Sequence, residues 1–488
     1  MELVILSIYG IALIVIFAYS LVQINLVKNY VRFHRKHDNE EQTFTELSDD
    51  NYPFVTVQLP VYNESYVVER LLDSVIKLNY PAEKLEIQVL DDSTDDTVEL
   101  VAKKVAYYRE QGIDIQHVKR VNRQGYKAGA LADSMDEAKG EFIAIFDSDF
   151  LPDPDFLKMT VPYFNGDNVG VVQTRWVHIN RDYSMLTRMQ AFGLDAHFSI
   201  EQLGRNAGEH FINFNGTAGI WRRTCIDDAG GWEHDTLTED LDLSYRAQMK
   251  GWKFVFLEDV VSPAELPVTM SAVKSQQFRW MKGGAENLRK NSGKLLQSDT
   301  PWKTKMHGIF HLFNSSIFPC IFLVAILSIP ILFIKKFRPE YSLLFAFGSF
   351  FIVSFIFLMI YYWNSYKSEF GSSLKSWFRF IWTFFQFLSF SMGLSFHNTI
   401  AVFEGYIGKK SSFVRTPKFN VFNKNDKWDN NKYLKSNLNG ITIMEGLLSF
   451  YFLMGIVSAF CLRDFGMLPF HLLLFIGFSN VFVKSIRE

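Results

Sequence analysis

Two carboxylate pairs stand directly behind apolar runs. Leu85–Leu90 leads into Asp91 and Asp92, and Glu141–Phe146 leads into Asp147-Ser148-Asp149. In an extended chain alternate side chains share a side, so Asp147 and Asp149 can face one ligand together. Paired carboxylates repel a diphosphate unless a divalent cation sits between them. Mg²⁺ or Mn²⁺, which accept one or two carboxylates plus phosphate oxygens, suit that task. A third acidic set follows Thr238, with Glu239, Asp240 and Asp242 inside four positions. This pattern predicts a helix start with Thr238 as N-cap. Capping does not require three acids, and a carboxylate here is suited to removing the proton of an acceptor hydroxyl. Gln276-Gln277-Phe278-Arg279-Trp280 lies on an expected amphipathic helix over about 271–290. Its guanidinium suits a leaving diphosphate and its indole a sugar face, while Phe278 and Trp280 equally suit a membrane interface.

These residues need elements that hold them at one place. From Tyr52 to about Asp299 strands and helices alternate. Phe54–Leu59 is a β-rich run, and Glu64–Leu78 has helical spacing. Leu85–Leu90 is a second strand and Asp95–Gln111 a second helix. Glu141–Phe146 and Val169–Val177 are further strands. Such alternation implies βαβ units, a mainly parallel sheet and a ligand crevice at the strand C-terminal ends. The carboxylates fall at those ends.

The remainder of the 488 residues has another character. Residues 38–300 hold 43 of the 52 acidic and 27 of the 50 basic side chains, a net of −16 against +14 elsewhere. The acidic part reads as a soluble domain. The apolar part with basic edges reads as membrane segments, and the balance excludes a nucleic-acid binder. Leu3 to Val27 is uncharged and is followed by Lys28, Arg32, Arg35 and Lys36. Basic residues after the apolar run predict a spanning anchor rather than a signal peptide, with the next domain cytoplasmic. Uncharged runs recur over 306–334, 341–366, 380–403, 446–462 and 465–483. The run 380–403 is interrupted by polar residues and precedes a loop of net +6 over 405–435, so it is expected to be re-entrant or to lie on the surface. Domain limits follow: an anchor with its basic flank over 1–37; a soluble domain over 38–300; two spans and the non-spanning segment over 301–404; a cytoplasmic loop over 405–440; two spans over 441–488. The three cysteines, Cys225, Cys320 and Cys461, are too few and too far apart for a disulfide framework or a zinc site.

Taken in order, Pro60-Val61-Tyr62-Asn63-Glu64, Asp91-Asp92, Asp147-x-Asp149, Thr238-Glu239-Asp240 and Gln276-x-x-Arg279-Trp280 resemble the family 2 glycosyltransferases, on their processive side. Leu85 through Asp96, Gly125-Tyr126-Lys127-Ala128-Gly129-Ala130-Leu131 and Phe214-Asn215-Gly216-Thr217-Ala218-Gly219 are similar to the cellulose-synthase-like A branch, which holds the mannan and glucomannan synthases. The resemblance implies an α/β nucleotide-sugar domain of GT-A type inserted between transmembrane helices, and an inverting, metal-dependent hexosyl transfer. It implies Tyr62, Glu64 and Asp92, or Asp91, at the base and ribose. Lys127 would touch the diphosphate, Asp147 would lie near the donor, and Asp149 would ligate Mg²⁺ or Mn²⁺. Asp240 would be the catalytic base with Glu239 beside it. Gln276, Arg279 and Trp280 would hold the diphosphate and the acceptor end, and Asn215, Gly216 and Thr217 would border the acceptor. Phe413-x-x-Thr416-x-Lys418 is similar to a gating loop that closes over nucleotide, although Arg415 stands where that loop usually has Val. The implied partners are a nucleotide-sugar donor (GDP-mannose or UDP-glucose), a growing β-linked glycan and the bilayer. The implied location is a bacterial plasma membrane, with the catalytic domain cytoplasmic. The competing activity is non-processive transfer to a lipid, as in ceramide glucosyltransferases.

Overall fold

The computed structural model describes residues 1–37, 47–426 and 439–487. Its centre is a seven-stranded sheet: β1 (Val55–Val61), β2 (Leu85–Asp91), β3 (Ile115–Lys119), β4 (Phe142–Ile145), β5 (Val169–His178), β6 (Gly219–Arg222) and β7 (Lys253–Ala264). The spatial order is β3-β2-β1-β4-β6-β5-β7. β1, β2, β3 and β4 run parallel, as do β5 and β7; β6 runs against both β4 and β5. The mainly parallel α/β expectation therefore holds, with one reversed strand in its middle.

Register decides where the chemistry goes. Val55 pairs with Leu85 on one side and with Phe142 on the other. Parallel strands in that register end together, so the segments after β1, β2 and β4 open on one edge. Both faces of the sheet are covered, which explains why alternation inside β1 is between two kinds of burial. Val55, Val57 and Leu59 fill one core. Thr56 and Gln58 lie on the other face, where Thr56 Oγ1 donates to Glu86 (2.8 Å) and Gln58 Nε2 to Gln88 (3.0 Å). Such pairing offsets part of the desolvation cost, although Gln58 Oε1 and Gln88 Nε2 keep no partner among the described residues.

The helices depart from their expected limits at the ends. Glu64–Leu78 contributes only Val68–Val75, while the interface helix is longer than expected, Met270–Gln297. Thr238 does occupy the N-cap position of helix Glu239–Met249, but its side chain does not cap. Its Oγ1 instead accepts from Asn287 Nδ2 at 3.0 Å.

Among the described residues five helices are long and apolar enough to cross a membrane: Glu2–His37, Asn314–Phe337, Pro339–Phe370, Gly440–Leu462 and Leu468–Arg487. The run 380–403 falls instead on two helices that break at Leu394, Leu374–Gly393 and Ser395–Tyr406. At the end of the bundle away from the sheet, Arg338 pairs with Glu2 (2.8 Å) and Lys335 with Asp464 (2.8 Å). The expected linker lies outside the described residues over 38–46, and so does the expected loop over 427–438.

Candidate active site

The strand ends open into one cleft. Tyr62 and Glu64 enter it from the end of β1, Asp92 from β2, and Asp147 and Asp149 from β4. Glu239 and Asp240 enter from the start of their helix, and Gln276, Arg279 and Trp280 from the interface helix. Lys127, Asn215 and Gly216 complete the wall, and Thr416 and Lys418 close it from above. These positions are spread over more than 350 residues of sequence.

Two expected residues do not face the cleft. The Asp91 carboxylate is buried against His117 Nε2 (2.8 Å) and the Ser93 N–H (2.9 Å), so Asp92 is the member of the pair that reaches the cleft. There Asp92 is held by Arg120 through Nε (3.0 Å) and Nη2 (2.5 Å). Thr217 is fully buried and accepts from the Asp147 backbone N–H at 2.8 Å. It orients the carboxylate turn from behind.

Lys127 is the electrostatic hub. Its ammonium donates to Asp147 Oδ1 (2.5 Å) and to the Gly216 carbonyl (2.8 Å). Burial pulls its pKa down, but Asp147 and Glu239 together hold it above the ordinary value. Gly216 sits at φ 79° in the left-handed region. A Cβ there would lie 3.0 Å from Asp240 Oδ2 and 3.6 Å from Lys127 Nζ, so the turn needs glycine on two counts. Burial, and next the Glu239 charge, push Asp240 up to about 7; burial also raises Glu239. A carboxyl poised near neutrality is what a general base at physiological pH requires.

The turn carrying these acids is braced by the interface helix. The Leu237 N–H donates to Glu286 (2.8 Å), and Asn287 Nδ2 donates to the Thr238 carbonyl (3.1 Å). A Cβ on Gly283 would come within 2.5 Å of Thr238 Oγ1, so the helix must be bare there to approach. Further back, Asp242 is fully buried, bonded to Arg246 (2.8 Å) and Asn291 (3.0 Å), which makes it structural. Glu233, Asp235 and Asp242 also form a compact acidic trio. Lys290 already pairs with all three, at 2.5, 2.6 and 3.0 Å, so a metal there would compete with an internal cation.

The Asp147–Asp149 turn meets the same competition, but both of its carboxylates open on the cleft, whereas Asp242 of the trio is fully buried and bonded to Arg246 and Asn291. Lys418 pairs with Asp149 as Lys127 does with Asp147, so each carboxylate already attracts one positive charge into the cleft. Arg279 adds a donor suited to phosphate: Nη2 donates to Thr416 (2.7 Å), while its buried Nε has no protein partner among the described residues.

Arg123 and Glu265 carry no readable signal in the sequence, and Phe413 and Arg415 make contacts that their motif does not spell out. Arg123 lies over the Tyr62 ring, 3.2 Å from its centroid. Arg415 donates to the Tyr62 carbonyl (3.0 Å) and stands 3.5 Å from Glu64, whose carboxyl burial pushes up to about 7. Phe413 stacks on Tyr126 at 5.8 Å and lies under Arg279 at 4.6 Å. Arg415 is thus well used in this loop. Glu265, at the end of β7, anchors the loop by accepting from the N–H groups of Phe419 (2.9 Å), Asn420 (3.1 Å) and Val421 (3.3 Å). Glu265→Ala is expected to raise hydrogen exchange at Phe419–Val421 by about tenfold or more, the worth of a charge-assisted hydrogen bond. The amides of β5 should be unaffected; unchanged exchange in the loop would remove Glu265 as its anchor.

Residues 53–283 match the family model described as Glycosyltransferase like family 2. Among curated proteins the chain is similar to glucomannan 4-beta-mannosyltransferase 7 of Arabidopsis thaliana, 38% identical over 61% of this chain and 56% of that one. It is 42% identical to glucomannan 4-beta-mannosyltransferase 1 of Oryza sativa subsp. japonica, over 55% of this chain and 53% of that one. These relatives are plant proteins, which removes the ground for expecting a bacterial membrane. Among solved structures it is similar to the mannosyltransferase PcManGT from Pyrobaculum calidifontis in complex with GDP-Man and Mn²⁺. That match has a TM-score of 0.56 and 19% identity, and covers 83% of this chain and all of that one. It supports the GT-A-like fold. The chain spans about half the length of the curated relatives it matches.

Proposed function

We propose that this chain, whose residues 53–283 belong to glycosyltransferase family 2, is a multi-pass membrane enzyme. It would transfer mannosyl units from GDP-mannose to a growing β-linked mannan or glucomannan. UDP-glucose is the second donor to test. The likeness to glucomannan mannosyltransferases supports this choice of sugar. One geometric observation carries the choice of a glycan acceptor. Gln276 and Trp280 line both the carboxylate cleft and a second cavity among the membrane helices. That cavity is lined by Tyr19, Gln23, His197, Asn314 and Tyr361 beside Met189, Leu194, Phe318, Phe387 and Phe390, so polar groups for sugar hydroxyls alternate with aromatic faces for sugar rings. It favours a polymer over a lipid acceptor.

In this reading Asp240 takes the proton of the acceptor hydroxyl as its oxygen attacks the anomeric carbon. The bond from that carbon to the diphosphate breaks in the same step, on the opposite side, so the configuration inverts. Arg279 and Lys127 hold the departing diphosphate. Tyr62, Glu64 and Asp92 hold the base and ribose. Trp280, with Asn215 and Gly216, holds the acceptor end. Asp149, with Asp147 beside it, would hold a divalent cation, Mg²⁺ or Mn²⁺, which supplies charge for the diphosphate when bound. Thr416 and Lys418 belong to a loop over the nucleotide.

The test is a labelled-donor assay in membrane vesicles with GDP-mannose, UDP-glucose, GDP-glucose and UDP-GlcNAc, read as polymer length. Polymer from GDP-mannose supports the proposal; label found only in extractable lipid overturns it. Trp280→Ala should shorten the polymer while donor hydrolysis survives, because stacking positions the acceptor. Equal loss of both would remove Trp280 from the acceptor site.

The domain limits set out above belong to the same proposal, with the 409–426 loop on the side of the catalytic domain. Lys335, Lys336 and Arg338 lie at the far end, where Lys335 pairs with Asp464 and Arg338 with Glu2, but the larger Lys and Arg count over 405–435 favours this orientation. Ser412→Cys, in a variant lacking Cys225, Cys320 and Cys461, should resist an impermeant thiol reagent outside intact cells and react after permeabilisation. Labelling from outside would refute the orientation.

A further inference from the structure

A third cavity, polar and open to solvent, lies behind Arg279, beside the reaction cleft. Its walls are the interface helix Met270–Gln297, helix Ser395–Tyr406, the segment 409–414 and the start of helix Gly440–Leu462. Lys274, Lys409 and Lys410 line it, with Glu404 the one carboxylate among the described lining residues. Glu404 is already taken by Lys409 (2.5 Å) and Lys282 (3.5 Å), and Lys274 pairs with Glu445 (2.5 Å). Lys410 is exposed and makes no ion pair among the described residues. Ser275 and Ser412 add hydroxyls to the lining, while the hydroxyls of Thr442 and Ser485 donate to Asn439 Oδ1 (3.2 Å) and the Val481 carbonyl (2.7 Å). The 23-residue helix that starts here is capped by the Asn439 side chain at the Thr442 N–H (2.9 Å), and the rest of its positive end adds to the field.

We propose that this cavity binds a phosphate-bearing anion, held by Lys274, Lys410 and the start of helix Gly440–Leu462. The position fits a phospholipid headgroup: two helices long enough to span a membrane end here, and Val414 in the wall and the neighbouring Ile443 are more than half exposed. A soluble phosphate compound shares the chemistry. The segment 409–414 leads directly into Arg415, Thr416 and Lys418, so an occupant would rest against the loop that covers the reaction cleft.

The full chain, stripped of lipid in detergent, is titrated with phosphatidylglycerol, phosphatidylcholine and glycerol 1-phosphate, and retention is read by native mass spectrometry. Phosphatidylglycerol should be retained over phosphatidylcholine. Lys410→Gln should weaken retention roughly fivefold, the worth of one surface cation near an anionic headgroup. Ser412→Asp, which places a carboxylate in the cavity at an exposed position, should weaken it further. Retention that glycerol 1-phosphate cannot compete away identifies a lipid. Retention of glycerol 1-phosphate itself, lost in both variants, identifies a soluble phosphate compound. Equal retention of both lipids, or retention unchanged in both variants, overturns the proposal.

Discussion

Asp240→Asn is expected to lower sugar transfer by roughly 10²–10⁴-fold, the usual contribution of a positioned general base. The amide keeps the shape, and Asn can still accept from the Leu241 N–H that Asp240 Oδ1 accepts from at 2.8 Å. The turn is also held independently by Glu286 and Asn287, so the fold should survive. Donor binding, measured by calorimetry, should stay close to wild type, because the nucleotide contacts lie on other elements. The pH profile sharpens the expectation. Burial and Glu239 push Asp240 up to about 7, and a base works only when ionised. Transfer should therefore rise with pH through about 7 and fall away below it. Near-normal transfer in the variant, or a wild-type rate flat from pH 5.5 to 8, would remove Asp240 from the role. Glu239→Gln should move the rising limb to lower pH, since it removes a negative charge that disfavours Asp240 ionisation.

The part of this site that was legible in the sequence is the part made by strand ends. Each of three apolar runs stops at a polar or acidic residue, and the parallel register of β1, β2 and β4 turns those stops into one edge. What was not legible depends on partners far away. Asp91 and Asp92 are indistinguishable by position alone; His117, on a half-polar edge strand that alternation does not reveal, decides between them. The reversed strand β6 has four residues, too few for a pattern. Glu265 is a lone carboxylate whose three amide donors lie more than 150 residues on. Arg123 gains its meaning only from the Tyr62 ring beneath it. The two-cavity position of Trp280 likewise needs the membrane helices in place, since its residue type and helix position equally suit a membrane interface.

Removal of divalent cation should abolish transfer, and Asp149→Ala should raise the half-saturating Mn²⁺ concentration by roughly 10²-fold or more. A carboxylate ligand is worth more than the 10–100-fold typical of residues that only support one. Asp149 is nearly buried and paired with Lys418, so its surroundings already hold a cation there. A metal ion entering must displace that ammonium. Lys418→Ala should accordingly tighten Mn²⁺ binding when no nucleotide is present, the opposite sign to Asp149→Ala. Both are read by calorimetric titration of Mn²⁺ into the full chain, which needs no turnover. Asp147→Ala is expected to differ from Asp149→Ala, because its partner Lys127 also holds the Gly216 carbonyl beside Asp240. It should impair the rate of transfer along with metal affinity. A Mn²⁺ titration of Asp149→Ala that superimposes on wild type would place the metal elsewhere, and the acidic trio around Lys290 would be the next set to mutate.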